Sequence, residues 1–217
     1  MDDLQRAWAA LQLGGAMVYP LMALAVLSLV ILLDKAFVFW RYTRLPHAAI
    51  SLLETDGLAW PDLEHQLARL GARHYLARFF RLILENRAKP IWWVEARAAE
   101  EALLIEKALS RGLWVLETIV TAAPLLGLLG TITGMMNAFK IISGKGLVEP
   151  AGITGGVAQA LIATAAGIFI ALVALFAFNF FSRLQSQTLD EMERLGTRLV
   201  DQIRLDREGK EPDDETP

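Results

Sequence analysis

The sequence lacks cysteine altogether: none of its 217 residues is Cys. Disulfides, thiolate metal sites and thiol catalysis are therefore excluded. The chain also lacks an excess of one charge, because 21 Lys and Arg stand against 24 Asp and Glu and leave a formal net charge of −3. A dedicated nucleic-acid surface would be strongly basic, so that class of function is not indicated.

Catalytic motifs and targeting signals are missing as well. The three histidines, His47, His65 and His74, do not have the spacing of metal ligands. We therefore expect no enzyme, no metal site, no cofactor and no catalytic residue. A cleaved signal peptide is not indicated, because the N-terminal MDDLQRAWAALQLGG carries two acids where a signal peptide has a basic region. The first apolar run ends at Asp34-Lys35 rather than at a small-residue cleavage site.

What the sequence does have is long uncharged apolar runs. Its mean hydropathy of +0.39 is high for a soluble domain. No charged residue occurs in Met17–Leu33, in Thr118–Phe139 or in Pro150–Ser182. A transmembrane helix needs about 20 predominantly apolar residues. These runs predict an all-α integral membrane protein with three transmembrane helices.

The charges between these runs predict the orientation. Eleven of the 21 Lys and Arg lie in 41–112 and six lie in 183–217. The positive-inside rule places both stretches in the cytoplasm and the N-terminus on the other side. In chain order we predict a periplasmic amphipathic segment at 1–16, transmembrane helix 1 at 17–40, a cytoplasmic helical domain at 41–112, transmembrane helix 2 at 113–142, a periplasmic loop at 143–151, transmembrane helix 3 at 152–182, a cytoplasmic helical extension at 183–205 and a disordered tail at 206–217.

Helical periodicity continues outside the membrane runs. Leu76, Phe79, Phe80 and Ile83 share one helix face. A second apolar stripe follows the third run, and the third span is therefore expected to continue as a projecting helix. That stripe consists of Leu184, Thr188, Met192, Leu195, Leu199 and Ile203.

The stretch between Pro90 and Pro124 contains no other proline, and Gly112 is its only glycine. We predict one long helix from about Ile91 through Phe139, whose first half projects into the cytoplasm.

Small residues recur at helical spacing in spans two and three, although each glycine destabilises a helix by roughly 1 kcal/mol relative to alanine. Membrane helices associate by close packing, so their interfaces favour small residues. The stripes predict two closely packed helices, or one helix against a neighbouring subunit. They comprise Ala123, Gly127, Gly130, Gly134 and Ala138 in span two, and Gly156, Ala160, Ala163, Gly167, Ala171 and Ala174 in span three.

Polar residues within the spans have two interpretations. Thr131, Thr133 and Thr164 can bond to their own or a neighbouring helix, or can line an ion path. Gln159 should face protein or water rather than lipid. Pro124 removes one backbone hydrogen bond, and neighbouring Thr121 is expected to help satisfy the freed carbonyl.

Two segments resemble the ExbB/TolQ/MotA proton-channel family, nearest to its ExbB and TolQ branches. They are TAAPLLGLLGTITGMMNAF, at 121–139, and GGVAQALIATAAGIFIALVALFAFNFF, at 155–181. Together they cover spans two and three densely, and the Asp34-Lys35 pair after span one also fits the family. Thr131 and Thr164 match the family's pore threonines. Pro124, Gly127 and Gly130 match its packing core.

The resemblance implies a proton-channel or stator subunit of the bacterial inner membrane. The implied assembly is a homopentamer around a dimer of a single-span partner resembling ExbD or TolR, whose membrane aspartate carries protons. The motion that results from proton passage would drive a TonB-like or TolA-like protein and so power transport at the outer membrane. The implied ion-pathway residues are Thr131, Thr164 and Gln159. The implied helix-packing residues are Pro124, Gly127, Gly130, Gly134, Gly156 and Gly167.

One position departs from the family pattern. ExbB and TolQ usually have Glu in GIxEALxxTAxG, and here that residue is Gln159. An amide can form hydrogen bonds but cannot titrate. The alternatives are therefore a divergent ExbB-like subunit that works without this charge, one with altered coupling, or a non-conducting scaffold of the same fold. A TolQ-like subunit of the Tol system is a separate alternative.

Overall fold

The computed structural model describes residues 15–43, 50–51, 60–71, 74–145 and 150–208. Within these ranges the chain is helical and contains no strand. The predictions for the first fourteen residues, for His47 and for 209–217 lie outside them. In chain order the helices are α1 (Val18–Tyr42), α2 (Trp60–Arg69), α3 (Tyr75–Glu85), α4 (Ile91–Ser110), α5 (Leu113–Lys145) and α6 (Pro150–Glu208).

Among the residues that the structure describes, three helical stretches are long and apolar enough to cross a membrane: Val18–Tyr42, Ile91–Lys140 and Thr154–Glu208. The prediction of an all-α membrane protein is confirmed. The residues fall into two compact units. The first takes its described residues from Met1–Asp34 and Gly112–Phe181, and the second takes its described residues from Lys35–Arg111 and Ser182–Pro217.

The first unit packs α1, α5 and the first part of α6 around a small apolar core. Leu21 of α1, Ile119 and Ala123 of α5, and Ala171 and Ala174 of α6 form this buried cluster. Alanines at these positions leave little distance between the helices. Large apolar side chains also point outward in this unit, as expected of helices whose surroundings are lipid.

The second unit has an ordinary buried core. The face predicted on α3 is buried, with Phe80 and Ile83 fully inaccessible. The predicted stripe on α6 is buried from Thr188 to Ile203, because these residues face the same core. His74 begins α3 as its N-cap, where its Nδ1 accepts a hydrogen bond from the Ala77 N–H at 3.3 Å. A structural role therefore explains this histidine.

The prediction of one helix from Ile91 to Phe139 is wrong. α4 ends at Ser110 and α5 begins at Leu113. Arg111 has φ −54° and ψ 123°, and Gly112 has φ +85°, which is left-handed backbone. This sequence of angles is typical of a type II turn, in which the second central residue is glycine.

The helical end of the chain also differs from the prediction. α6 continues to Glu208, three residues into the segment predicted to be disordered. Contacts inside the second unit explain this extension. The Trp60 indole donates to Asp206 Oδ2 at 2.8 Å, and the Arg207 guanidinium donates to the Lys89 carbonyl at 2.5 Å and also to the Arg87 carbonyl.

Candidate functional site

The two stripes of small residues face each other across the α5–α6 contact. A Cβ atom added at Gly134 would lie 3.0 Å from the carbonyl oxygen of Gly156. A Cβ added at Gly167 would lie 2.5 Å from the Ala123 carbonyl oxygen and 3.1 Å from the Gly127 Cα. These neighbours are backbone atoms and cannot rotate away. Glycine at these points therefore allows the two helix backbones to touch.

Alanine methyl groups fill the same contact elsewhere. A Cβ at Gly130 would overlap the Cβ of Ala163, and a Cβ at Gly156 would lie 2.6 Å from that of Ala138. Pro124 lies inside α5, which continues past it to Lys145. The hydroxyl of Thr121 donates to the Thr118 carbonyl at 2.9 Å. It therefore does not serve the Val120 carbonyl that Pro124 leaves without its usual N–H donor, contrary to the sequence-based expectation.

Thr164 links the two helices by a polar contact. Its Oγ1 donates to the carbonyl oxygen of Gly127 on α5 at 3.0 Å, in a partly buried position. A hydroxyl has one proton to donate and two lone pairs that accept. Because the proton is used toward Gly127, the lone pairs of Oγ1 remain for a donor such as water or a protonated carboxylic acid.

Thr131 and Thr133 bond within their own helix. The Thr131 hydroxyl donates to the Leu128 carbonyl at 2.6 Å, and that of Thr133 donates to the Leu129 and Gly130 carbonyls, each at 3.1 Å. Thr131 lies one helical turn after Gly127, the residue that accepts the Thr164 bond. Thr131 and the acceptor of the Thr164 bond therefore lie on neighbouring turns of α5.

Gln159 lies in different surroundings. Its side chain packs against the backbone of Gly15, so closely that a Cβ at Gly15 would overlap Nε2 and lie 2.7 Å from Cδ. Gly15 has φ +72°, in the left-handed region that favours glycine. Gln159 and Thr164 are five residues apart on α6, which is about 140° around the helix. The structure therefore does not bring the three ion-pathway candidates into one cluster.

Sequence reasoning missed the role of Lys35 in the second unit. Its side chain is 2% exposed, and its Nζ donates to the Leu109 carbonyl oxygen at 2.9 Å. Leu109 lies in the last turn of α4, where carbonyls have no partner within the helix. An ammonium group there satisfies the carbonyl and suits the negative end of the helix dipole. The available signal was the Asp34-Lys35 pair between two apolar runs.

Comparison with known proteins supplies the remaining observation. Residues 71–194 match the MotA/TolQ/ExbB proton channel family. The chain is 32% identical over 205 residues to biopolymer transport protein ExbB-like 1 of Synechocystis, an alignment that covers 86% of this chain and 74% of that protein. The chain belongs to the MotA/TolQ/ExbB proton channel family.

Other relatives agree with this membership. ExbB-like 3 of Synechocystis is 30% identical over 180 residues, covering 79% of this chain and 82% of that protein. The biopolymer transport protein ExbB of Xanthomonas campestris is 38% identical over 106 residues, covering 48% of this chain and 42% of its own. The matched family segment contains the whole α5–α6 contact and Thr164. The chain is thus a multi-pass membrane protein and a proton-channel subunit of an energy-transducing system.

Proposed function

We propose that this chain is the ring-forming stator subunit of an ExbB–ExbD–TonB-like complex in the bacterial inner membrane. The ring is a homopentamer around a single-span partner that carries a membrane aspartate. The N-terminus lies in the periplasm and the C-terminus in the cytoplasm, because Lys and Arg are concentrated in 41–112 and 183–217. One charge that crosses a membrane potential of 100 mV releases about 2.3 kcal/mol. The passage of a few protons can therefore supply the free energy for a mechanical step.

The observation that carries the proposal is the hydrogen bond from Thr164 to the Gly127 carbonyl. A protonated aspartic acid donates a hydrogen bond, and the lone pairs of Thr164 Oγ1 can accept it. After the proton leaves, the carboxylate can only accept, so it competes with the Gly127 carbonyl for the Thr164 proton. Thr164 would in this way respond to the protonation state of the partner, and Thr131 would lie one turn along the same path.

Gln159 has a different place in this proposal. Its contact with Gly15 supports a packing role at the start of α1. Proton coupling then depends on the threonines and on the partner's aspartate. The same neutral residue is the observation that favours the second candidate function, a non-conducting scaffold of this fold. A TolQ-like subunit driving a TolA-like protein shares the ring and the partner chemistry of the first candidate.

The experiment uses Thr164→Val, which removes the hydroxyl and keeps the shape of the side chain. Native mass spectrometry of the chain co-expressed with an ExbD-like protein from the same genome should show an unchanged ring with substoichiometric partner. Growth that depends on energised outer-membrane transport should be lost. Thr133→Val is the matched control, since Thr133 bonds only within α5 in the described structure. Normal growth of Thr164→Val would remove this residue from the mechanism.

A further inference from the structure

The second unit contains an open groove with an apolar floor. A cavity of about 600 Å³ lies between α3, α4 and α6. Its floor includes Phe79, Ile83, Met192 and Val200. Ala98, Ala99 and Ala102 on α4 keep that wall of the groove shallow. An inserted side chain or helix edge could therefore approach the backbone of α4 closely.

The rim of this groove is acidic. Glu95, Glu106, Glu193 and Asp201 all line it. Glu95 pairs with Arg204 at 3.2 Å, and Arg204 also lies 3.8 Å from Asp201. Among the residues that the structure describes, Glu106 and Glu193 have no cationic partner. The groove therefore has the charge pattern that receives an apolar side chain flanked by cations.

The end of α4 and the turn after it carry a surface with that complementary pattern, which we call the basic edge: Leu104, Lys107 and Arg111. Leu104 is 53% exposed. Leu104 and Lys107 share one side of the helix by their spacing of three, and Arg111 follows the end of the helix. Lys107 lies about 100° around the helix axis from Glu106, because successive helical residues are that far apart. Neither Lys107 nor Arg111 forms an ion pair within the described ranges.

We propose that the groove of one copy receives the basic edge of a second copy of this chain. Leu104 would lie on the apolar floor, and Lys107 and Arg111 would meet Glu106 and Glu193 of the neighbour. Two different surfaces on different sides of one helix make a heterologous contact, and such contacts generate rings when the rotation closes. This inference rests on the ring of the proposed function and assigns one of its subunit contacts.

Cysteine cross-linking tests the contact directly, because the chain has no cysteine of its own. Thr197 lines the groove, and Leu104 belongs to the basic edge. Mild oxidation of membranes containing the variant Thr197→Cys with Leu104→Cys should give a ladder of covalent oligomers. The control is Thr197→Cys with His65→Cys, since His65 is exposed on α2 outside both surfaces. This control should give no ladder.

Charge reversal in the cross-linking variant tests the chemistry of the contact. Glu106→Lys should lower the yield of the ladder roughly fivefold or more, because it replaces an attraction with a repulsion. Adding Lys107→Glu to the same chain should restore the yield. An unchanged yield with Glu106→Lys would overturn the proposal.

The remaining outcomes separate this inference from the ring itself. A missing ladder overturns the contact, and native mass spectrometry of the same sample shows whether the ring is intact. An intact ring without a ladder leaves the proposed function standing and removes only this interface. A cross-link from Thr197→Cys alone to a protein of different mass would assign the groove to another chain and overturn the proposal as well.

Discussion

Replacing Gly167 by Ala is expected to destabilise the first unit. The added Cβ would lie 2.5 Å from the Ala123 carbonyl oxygen and 3.2 Å from the Gly127 nitrogen. Overpacking of a tight contact typically costs about 1–3 kcal/mol. The better helix propensity of alanine offsets roughly 1 kcal/mol of this. The net expectation is a loss of up to about 2 kcal/mol in the free energy of unfolding, and of about 1–3 kcal/mol relative to a glycine-to-alanine change that meets no neighbour.

The matched control is Gly155→Ala. Gly155 lies on the same helix, and a Cβ there would meet no atom within 4 Å. Its only expected effect is the propensity gain, so the free energy of unfolding should be unchanged or raised by up to about 1 kcal/mol. Unfolding of the purified protein by increasing SDS in mixed micelles, at one protein concentration, measures both variants. Equal stabilities of Gly167→Ala and Gly155→Ala would refute the account of the α5–α6 contact.

Two further predictions follow from contacts of the described residues. Gly15→Ala should lower the free energy of unfolding. In a Gln159→Ala background this loss should be about 1 kcal/mol smaller, because the overlap with the amide is gone and only the left-handed backbone remains strained. Additive effects in this double-mutant cycle would show that the two residues do not interact. Lys35→Met should lower the free energy of unfolding by about 2 kcal/mol, because the Leu109 carbonyl loses a charged donor. It should also speed amide hydrogen exchange in the last turn of α4. Unchanged exchange there would argue against the capping role of Lys35.

Periodicity and hydropathy were sufficient for much of this fold. The uncharged runs predicted the membrane-crossing stretches, because backbone groups in lipid must be satisfied within a helix. The 3.6-residue spacing predicted the buried face of α3 and the buried stripe of α6. Both signals are local, since each depends only on residues that are close in sequence.

The features that sequence reasoning missed depend on backbone angles or on distant residues. Gly112 was the only glycine in a helical pattern, and a lone glycine there is compatible with either a continuous helix or a break. The positive φ of Gly112 shows that the helix is interrupted there. The bond from Lys35 to Leu109 joins residues 74 apart. The contact of Gln159 with Gly15 likewise depends on how α1 and α6 pack, which no short-range pattern contains.

Sequence reasoning named the candidate residues of the site but not their geometry. Thr164 was selected from its motif, whereas its donation to the Gly127 carbonyl depends on the register of α5 against α6. The stripes of small residues fix that register only through the contact between the two helices, which the sequence of either helix alone does not contain. The partner chemistry proposed for Thr164 stays a prediction until flux is measured.

Proton flux through the reconstituted complex tests the central claim most directly. The chain and its single-span partner would be placed together in liposomes that contain a pH-sensitive dye, and a membrane potential would be imposed. We predict proton uptake by the complex. For a Thr164→Val complex of the same mass we predict at least a tenfold lower rate of uptake, which corresponds to an activation free energy higher by about 1.4 kcal/mol. An intact ring with bound partner that passes no protons, or a Thr164→Val complex with unchanged flux, would contradict the account.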